Sequence, residues 1–248
     1  MRIALITDIH GNLAALEAIT SDLRRRGVDA VVNLGDSLSG PLLPLETAQC
    51  LMAEGWISLA GNHERQILVG DPLRRGPADE FAHSRLTAKE FAWLESLPAT
   101  VRLSPEIFLC HGTPSSDVQY FLETIDDGFV RAANSDEIES RIGSERSALI
   151  ACGHTHIPRV VRAKHGQVIV NPGSVGLQAY ADVHPSPHFM ETGSPDARYA
   201  IVEKVRGGWS SSLLSVPYDH RSMANLAKLH GSSRWEHALL TGYCLGDG

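Results

Sequence analysis

Short apolar runs set the rhythm of this chain, and the segments between them carry helical spacing. Residues 3–6 form a wholly apolar run of the kind a strand shows when both its faces are covered. Leu13, Leu16, Ile19 and Leu23 then recur at helical intervals, with Asn12 placed to cap the first turn and Gly27 to stop the last. Residues 28–34 give a second strand, so the chain opens β-α-β, which favours a parallel pair. Pro44 and Gly55 bracket a second helix, residues 56–60 read as a third strand, and residues 63–69 as a short helix. Residues 79–97 read as two helical pieces joined at the capping-box signature Thr87-Ala88-Lys89-Glu90.

The second half is built differently. Residues 107–109 and 148–151 predict further buried strands, with a polar helix over 135–142 between them and a less regular stretch over 113–131. Residues 160–163 and 168–170 predict a hairpin around Gly166, whereas 177–196, with three prolines and two histidines, predicts a long loop. Residues 199–205 and 211–216 add two late strands. Helical pieces over 220–229 and 233–240 follow, stopped by Gly242. Alternation early and clustering late imply an α/β domain of two sheets with helices on the outer faces. No linker or repeat interrupts it, so 1–248 reads as one domain with 217–248 as a helical tail packed on it.

Composition narrows the picture modestly. At 248 residues, 43% hydrophobic and 21% charged, the chain is that of an ordinary folded protein. A formal charge of −7 argues against a nucleic-acid polymer as partner, but not against a small anion, because bound cations invert the local sign. The four cysteines form no Cys-x-x-Cys pair and read as free thiols. No apolar run approaches the ~20 residues of a membrane span. The first residues enter a strand with no leader-like pattern, so a cytoplasmic location is expected.

The chemistry lies where the apolar runs stop. They give way in turn to Thr7-Asp8-Ile9-His10, Gly35-Asp36, Gly61-Asn62-His63-Glu64, Cys110-His111-Gly112 and Cys152-Gly153-His154-Thr155-His156. One such stop is an ordinary turn; packing gives no reason for five, and metal coordination does. In an α/β sheet, ligands gather at the carboxyl ends of the strands. The pairs Asp8/His10 and His154/His156 are two apart, a spacing that in extended backbone aims both side chains the same way. Asp8, His10, Asp36, Asn62, His111, His154 and His156 mix imidazole, carboxylate and amide. That set suits Mn, Fe, Zn, Ni or Co better than calcium, and exceeds the needs of one ion.

These five motifs, in this order over residues 8–176, resemble those of the calcineurin-like metallophosphoesterases. Cys110-His111-Gly112-Thr113-Pro114 and Asn171-Pro172-Gly173-Ser174-Val175-Gly176 resemble the small prokaryotic group related to diadenosine tetraphosphatases. The resemblance implies a four-layer α-β-β-α sandwich of two mixed sheets with a dinuclear metal site at the strand ends. It implies that Asp8, His10 and His156 hold one divalent ion, that Asn62, His111 and His154 hold the other, and that Asp36 bridges them. It also implies that a metal-activated hydroxide attacks a small phosphomonoester or phosphodiester while His63 acts as general acid. A dinucleoside polyphosphate is the alternative substrate, and a non-catalytic scaffold is the different-class rival. The Gly-Asp-x-Val-Asp-Arg-Gly of eukaryotic-type protein phosphatases is absent: Ser37-Leu38-Ser39-Gly40-Pro41 follows Asp36, so what would orient His63 is open. Arg65 reads either as a substrate contact or as a solvated helix residue. His184 and His188 read either as part of a lid on the site or as an exposed polar loop.

Overall fold

The structure, a computed structural model, describes residues 1–246. Strand β1 (Arg2–Ile6) leads through α1 (Leu13–Arg26) to β2 (Ala30–Asn33), and α2 (Pro44–Glu54) leads to β3 (Ile57–Ser58). Three short helices follow: α3 (Asn62–Ile67), α4 (Pro77–His83) and α5 (Ala88–Ser96). Next come β4 (Val101–Ser104), β5 (Ile107–Leu109), β6 (Glu123–Asp126), β7 (Phe129–Ala132), α6 (Ser135–Ile142) and β8 (Leu149–Ala151). The chain continues with β9 (Arg159–Arg162), β10 (Val168–Asn171), β11 (Ala179–Asp182) and β12 (His188–Glu191). It then passes through β13 (Ala197–Val205), β14 (Gly208–Val216), α7 (His220–Leu229) and α8 (Ser233–Thr241).

The strands form two mixed five-stranded sheets, ordered β14-β13-β1-β2-β3 and β4-β5-β8-β10-β9. In each, three parallel strands carry the site-bearing turns and antiparallel strands complete the sheet. The alternation within β1 decides the layering. Ile3 and Leu5 face the second sheet, meeting Leu109, Leu149 and Val170, while Ala4 and Ile6 pack on Leu16 and Ile19 of α1. Across the second sheet, Ile150 and Ile169 turn outward onto Ile138 and Ile142 of α6. The result is helices, sheet, sheet, helices: the four-layer sandwich expected, with all the parallel strands pointing their carboxyl ends to one rim.

The local signals behave as their chemistry dictates. Asn12 caps α1 by accepting from the Ala15 amide, and Gly55 and Gly242 close α2 and α8 in the left-handed conformation. Thr87 and Glu90 form the capping box of α5.

Three segments depart from expectation. The long loop expected over 177–196 contains a hairpin, β11 with β12, whose His188 and Met190 face inward while Phe189 and Glu191 face out. Tyr180 and Phe189 favour a strand, but Pro185 and Pro187 between them make the stretch read as a loop, so tertiary pairing decides there. The irregular stretch over 113–131 contains the β6–β7 hairpin, turned by Asp127-Gly128, both with positive φ. Strand β4, which the apolar pattern does not signal, pairs with β5 across a bulge.

Candidate metal centre

The rim gathers the predicted residues into two groups. Asp8, His10 and His156 offer ligand atoms that all lie within 4.8 Å of one another, and so do Asp36, His111 and His154. Asn62 joins the second group, its Oδ1 3.1 Å from His111 Nε2. The extended backbone expected for the paired residues is not what aims them. Asp8, His10, Asp36, His154 and His156 all have left-handed φ, between 53° and 69°. Such conformations cost of order 1–3 kcal/mol each outside glycine, and they persist where surrounding bonds over-determine them. Here the Asp8 amide donates to Gly35 O at 2.9 Å, His10 N to Asp36 O at 3.1 Å and Gly153 N to His111 O at 2.7 Å, stitching the turns together. Glycine is required at 61, where a Cβ would collide with Asp36 Oδ1 and come within 2.9 Å of its amide.

Hydrogen bonds fix which atom each side chain presents. A carbonyl oxygen only accepts, so a ring nitrogen facing one carries the proton, and the other nitrogen keeps its lone pair. His10 Nδ1 faces Ser39 O at 2.7 Å, His156 Nδ1 faces Leu177 O at 2.6 Å, and His111 Nδ1 faces Leu34 O at 2.9 Å. All three therefore present Nε2. His154 is reversed: its Nε2 meets Val118 O at 3.1 Å, leaving Nδ1. Each aspartate spends one oxygen on an amide, Asp8 Oδ2 on His154 N at 3.1 Å and Asp36 Oδ1 on His63 N at 2.9 Å.

Acceptors then face acceptors. His10 Nε2 and His156 Nε2 stand 3.1 Å apart, and Asp8 Oδ1, 3.4 Å from His156 Nε2, is buried with no hydrogen-bond partner. In the second group His111 Nε2 lies 3.0 Å from Asp36 Oδ2. In the first group such lone pairs repel unless a cation lies among them; in the second a proton or a metal answers the Asp36 charge, and the imidazole, carboxylate and amide donors of both groups fit a metal. The pKa shifts divide the imidazoles, with His111 held charged by its carboxylate neighbour and His10 and His154 held neutral. Against the opposing effect of burial, the Asp36 carboxylate drives His111 up to about 10. Burial, with the neighbouring His156 and His63, drives His10 down to about 3, and burial and His111 take His154 to about 4. Burial works against Asp36 as a charged group, yet His111 and His63 hold it well below the usual carboxylate range.

His63 stands beside the groups, its ring 5.5 Å from that of His10. Asp79, on α4, meets its Nδ1 at 2.7 Å, which answers the question left open by the sequence. Burial alone would lower His63; the Asp36 charge and the Asp79 bond outweigh it and raise it to about 9. Glu64, fully buried, accepts from the amides of Gly61, Asp36 and Ser37 at 2.7 to 2.8 Å and so locks two of the metal-facing turns together. Neither the role of Asp79 nor this use of Glu64 is among the sequence-based expectations. Glu64 carries a signal, because it sits three residues after Gly61 at capping-box spacing. Asp79 carries none beyond its place in a first helical turn.

The three residues considered as substrate contacts separate. Arg65 Nε is bound to Asp117 at 2.8 Å. His184 is exposed and lines a cleft together with Asn62 and His154. His188 is buried, in contrast to the exposed-loop reading, and bridges Ser186 O at 2.7 Å and the Tyr120 hydroxyl at 3.0 Å. Tyr120 also reaches Asp182 at 3.3 Å, and the Tyr180 hydroxyl donates to His154 O at 3.2 Å and lies 3.2 Å from the Tyr120 hydroxyl.

Two mixed sheets with clustered His and Asp on one rim define a metallophosphoesterase-type architecture. The profile of the calcineurin-like phosphoesterase superfamily domain matches residues 1–192, and the chain belongs to that superfamily. It is similar to the crystal structure of a metallophosphoesterase from Sphaerobacter thermophilus, with 26% identity and a TM-score of 0.75, over 98% of this chain and 100% of that one. The hypothetical protein PH1004 from Pyrococcus horikoshii shares the fold, with a TM-score of 0.73 at 19% identity over 100% of this chain and 99% of that one. The uncharacterized protein MJ0912 of Methanocaldococcus jannaschii is 26% identical over 186 residues, 71% of this chain and 70% of its own length. Among the described residues no helix is long and apolar enough to cross a membrane, and all four cysteines are free.

Proposed function

We propose that this chain is a phosphoesterase that uses two divalent ions to hydrolyse a small phosphomonoester or phosphodiester. The observation that carries the reading is the pair of ligand clusters with His63 beside them, its Nδ1 held by Asp79. Asp8, His10 and His156 would hold one ion, Asn62, His111 and His154 the other, and Asp36 both. When bound, such ions acidify water into a nucleophile and neutralise the phosphoryl oxygens. The chain's own residues do the rest. His63, protonated at neutral pH by virtue of Asp36 and Asp79, gives its proton to the departing oxygen. Asp79, accepting from Nδ1, fixes the ring so that Nε2 carries that proton toward the cleft. Burial of His10, His111 and His156 keeps bulk water from competing for the ligand atoms.

The test is hydrolysis of bis-nitrophenyl phosphate with added manganese, before and after chelation. Turnover that appears with manganese and disappears with the chelator supports the reading. A manganese-binding chain inert toward mono- and diesters alike would leave a binding scaffold in its place. A dinucleoside polyphosphate is the second substrate reading, favoured by hollows of about 390 and 610 Å³ that share walls with the space over the groups.

A further inference from the structure

Those two hollows are both walled mostly by apolar surface, but different residues line them. The larger is lined by Gln66, Gln119, Glu123, Arg141, Asp182 and His184. The smaller is lined by Leu177, Tyr180, Trp235 and Ala238, with Ser232 and Arg234 also on its wall. A central space of about 310 Å³ over His10, Asp36, His63 and His154 joins them. It shares Tyr180 and Trp235 with the smaller hollow, and Asn62 and His154 with the larger. An ester bound at the ligand clusters therefore adjoins both hollows, and the smaller one meets it with the rings of Trp235 and Tyr180.

Trp235 is the residue that makes the chamber. It stands on α8, beyond residue 192 where the family domain ends. Its ring lies 5.9 Å from that of His10, nearly perpendicular at 73°. The tip presses on Gly40, where a Cβ would come within 2.7 Å of Cη2, so only glycine admits the indole this close to the ligands. Leu42, Ala224 and Leu239 beside it are buried, while Trp235 is only partly buried and lines the hollow. Tyr180 faces the same space, with its ring 4.6 Å from that of His156. Rigid aromatic walls next to a site for a charged group are what ring-bearing ligands use.

We infer that the smaller hollow receives a ring-bearing ester substituent of the substrate, packed against Trp235, while the phosphate lies over the two ligand clusters. The inference rests on the phosphoesterase reading, and the experiment keeps the two apart. The manganese-loaded protein is titrated calorimetrically with phenethylphosphonate and ethylphosphonate, inert ligands that differ by one ring. The native chain should bind the phenethyl compound about tenfold more tightly, the gain expected from burying one ring. Trp235→Ala should bring the ratio to within about twofold of unity, and Trp235→Phe should keep most of it. Ser232→Phe, which fills the hollow from its half-buried wall, should abolish the preference and decides the matter should Trp235→Ala fail to fold. Equal affinities in the native chain, or a preference that survives in folded Trp235→Ala, overturn the chamber alone. Failure of both phosphonates to bind a manganese-loaded chain overturns the phosphoesterase reading, and the chamber with it.

Discussion

The rim at the strand ends and the cap above it are held by different kinds of bond. On the rim, backbone does the fixing: carbonyls orient His10, His111 and His156, and amides take one oxygen each of Asp8 and Asp36. On the cap, side chains hold one another: His63 with Asp79, Tyr120 with Asp182 and His188, Arg65 with Asp117. A backbone partner cannot be exchanged without moving a strand, whereas a side-chain partner is exchanged by one substitution. The rim is thus built to keep its acceptors in place whatever the substrate. The cap is where turnover and selectivity can be adjusted, and rim and cap variants should fail in different ways.

Rim substitutions should give the largest effects. Asp36→Asn removes the charge that both clusters lean on and should lower metal affinity more than about 100-fold, beyond the loss caused by an outer partner. Elemental analysis should show both ions gone together; one ion retained would mean that Asp36 does not bridge. Glu64→Ala strands three buried amides at once and should destabilise the fold by about 3 kcal/mol or more. Denaturant melts read this directly. An unshifted midpoint would show that the turns hold without it.

Cap substitutions should spare the metals. His63→Ala should keep both ions yet lose roughly 10²- to 10⁴-fold in turnover on alkyl esters, and far less on nitrophenyl esters that need no acid. Equal losses on both ester types would remove His63 from the acid role. The pH dependence has a definite sign. His63 is raised to about 9, so its proton is present through neutrality, and turnover of alkyl esters should fall as pH climbs through that pKa. Bound cations repel the proton, so this limb should lie at or below about 9. Asp79→Asn removes a group that raises His63 and should move the limb to lower pH, with turnover down about tenfold, the low end for a general acid. A limb that stays put would separate Asp79 from the titration.

Rim and cap also differ in how far the sequence discloses them. Asp8, Asp36, Asn62, His111 and His154 each stand two or three residues past an apolar run, with His10 and His156 two further on, so the strand pattern points to these positions. What the runs do not disclose is conformation: residues two apart share a face in extended backbone, and left-handed φ aims these instead. The cap obeys no local rule. Asp79 reaches His63 from sixteen residues away because α4 folds back over α3, and Trp235 reaches His10 only because the tail crosses the molecule. The β11–β12 hairpin is short, and Pro185 and Pro187 in its turn hide it from the pattern. Its pairing, and the burial of His188, come from contacts that no window of sequence contains.

The smallest effect probes the seam between the two regions. His154 belongs to the rim, but Tyr180 donates to its carbonyl and the Tyr120 ring lies 5.2 Å from its imidazole. Tyr120→Phe keeps the ring and deletes only the hydroxyl that meets His188 at 3.0 Å and Asp182 at 3.3 Å. His188 Nε2 is then left buried without that partner, so stability should fall by about 1 kcal/mol. The backbone bonds that aim His154, from its ring to Val118 O and from its amide to Asp8, are untouched. Metal content should therefore stay at two ions per chain, and turnover should change by less than about threefold, within 1 kcal/mol of barrier. A variant that loses the second ion would show that the cap helps to hold the rim, and that the two regions work as one.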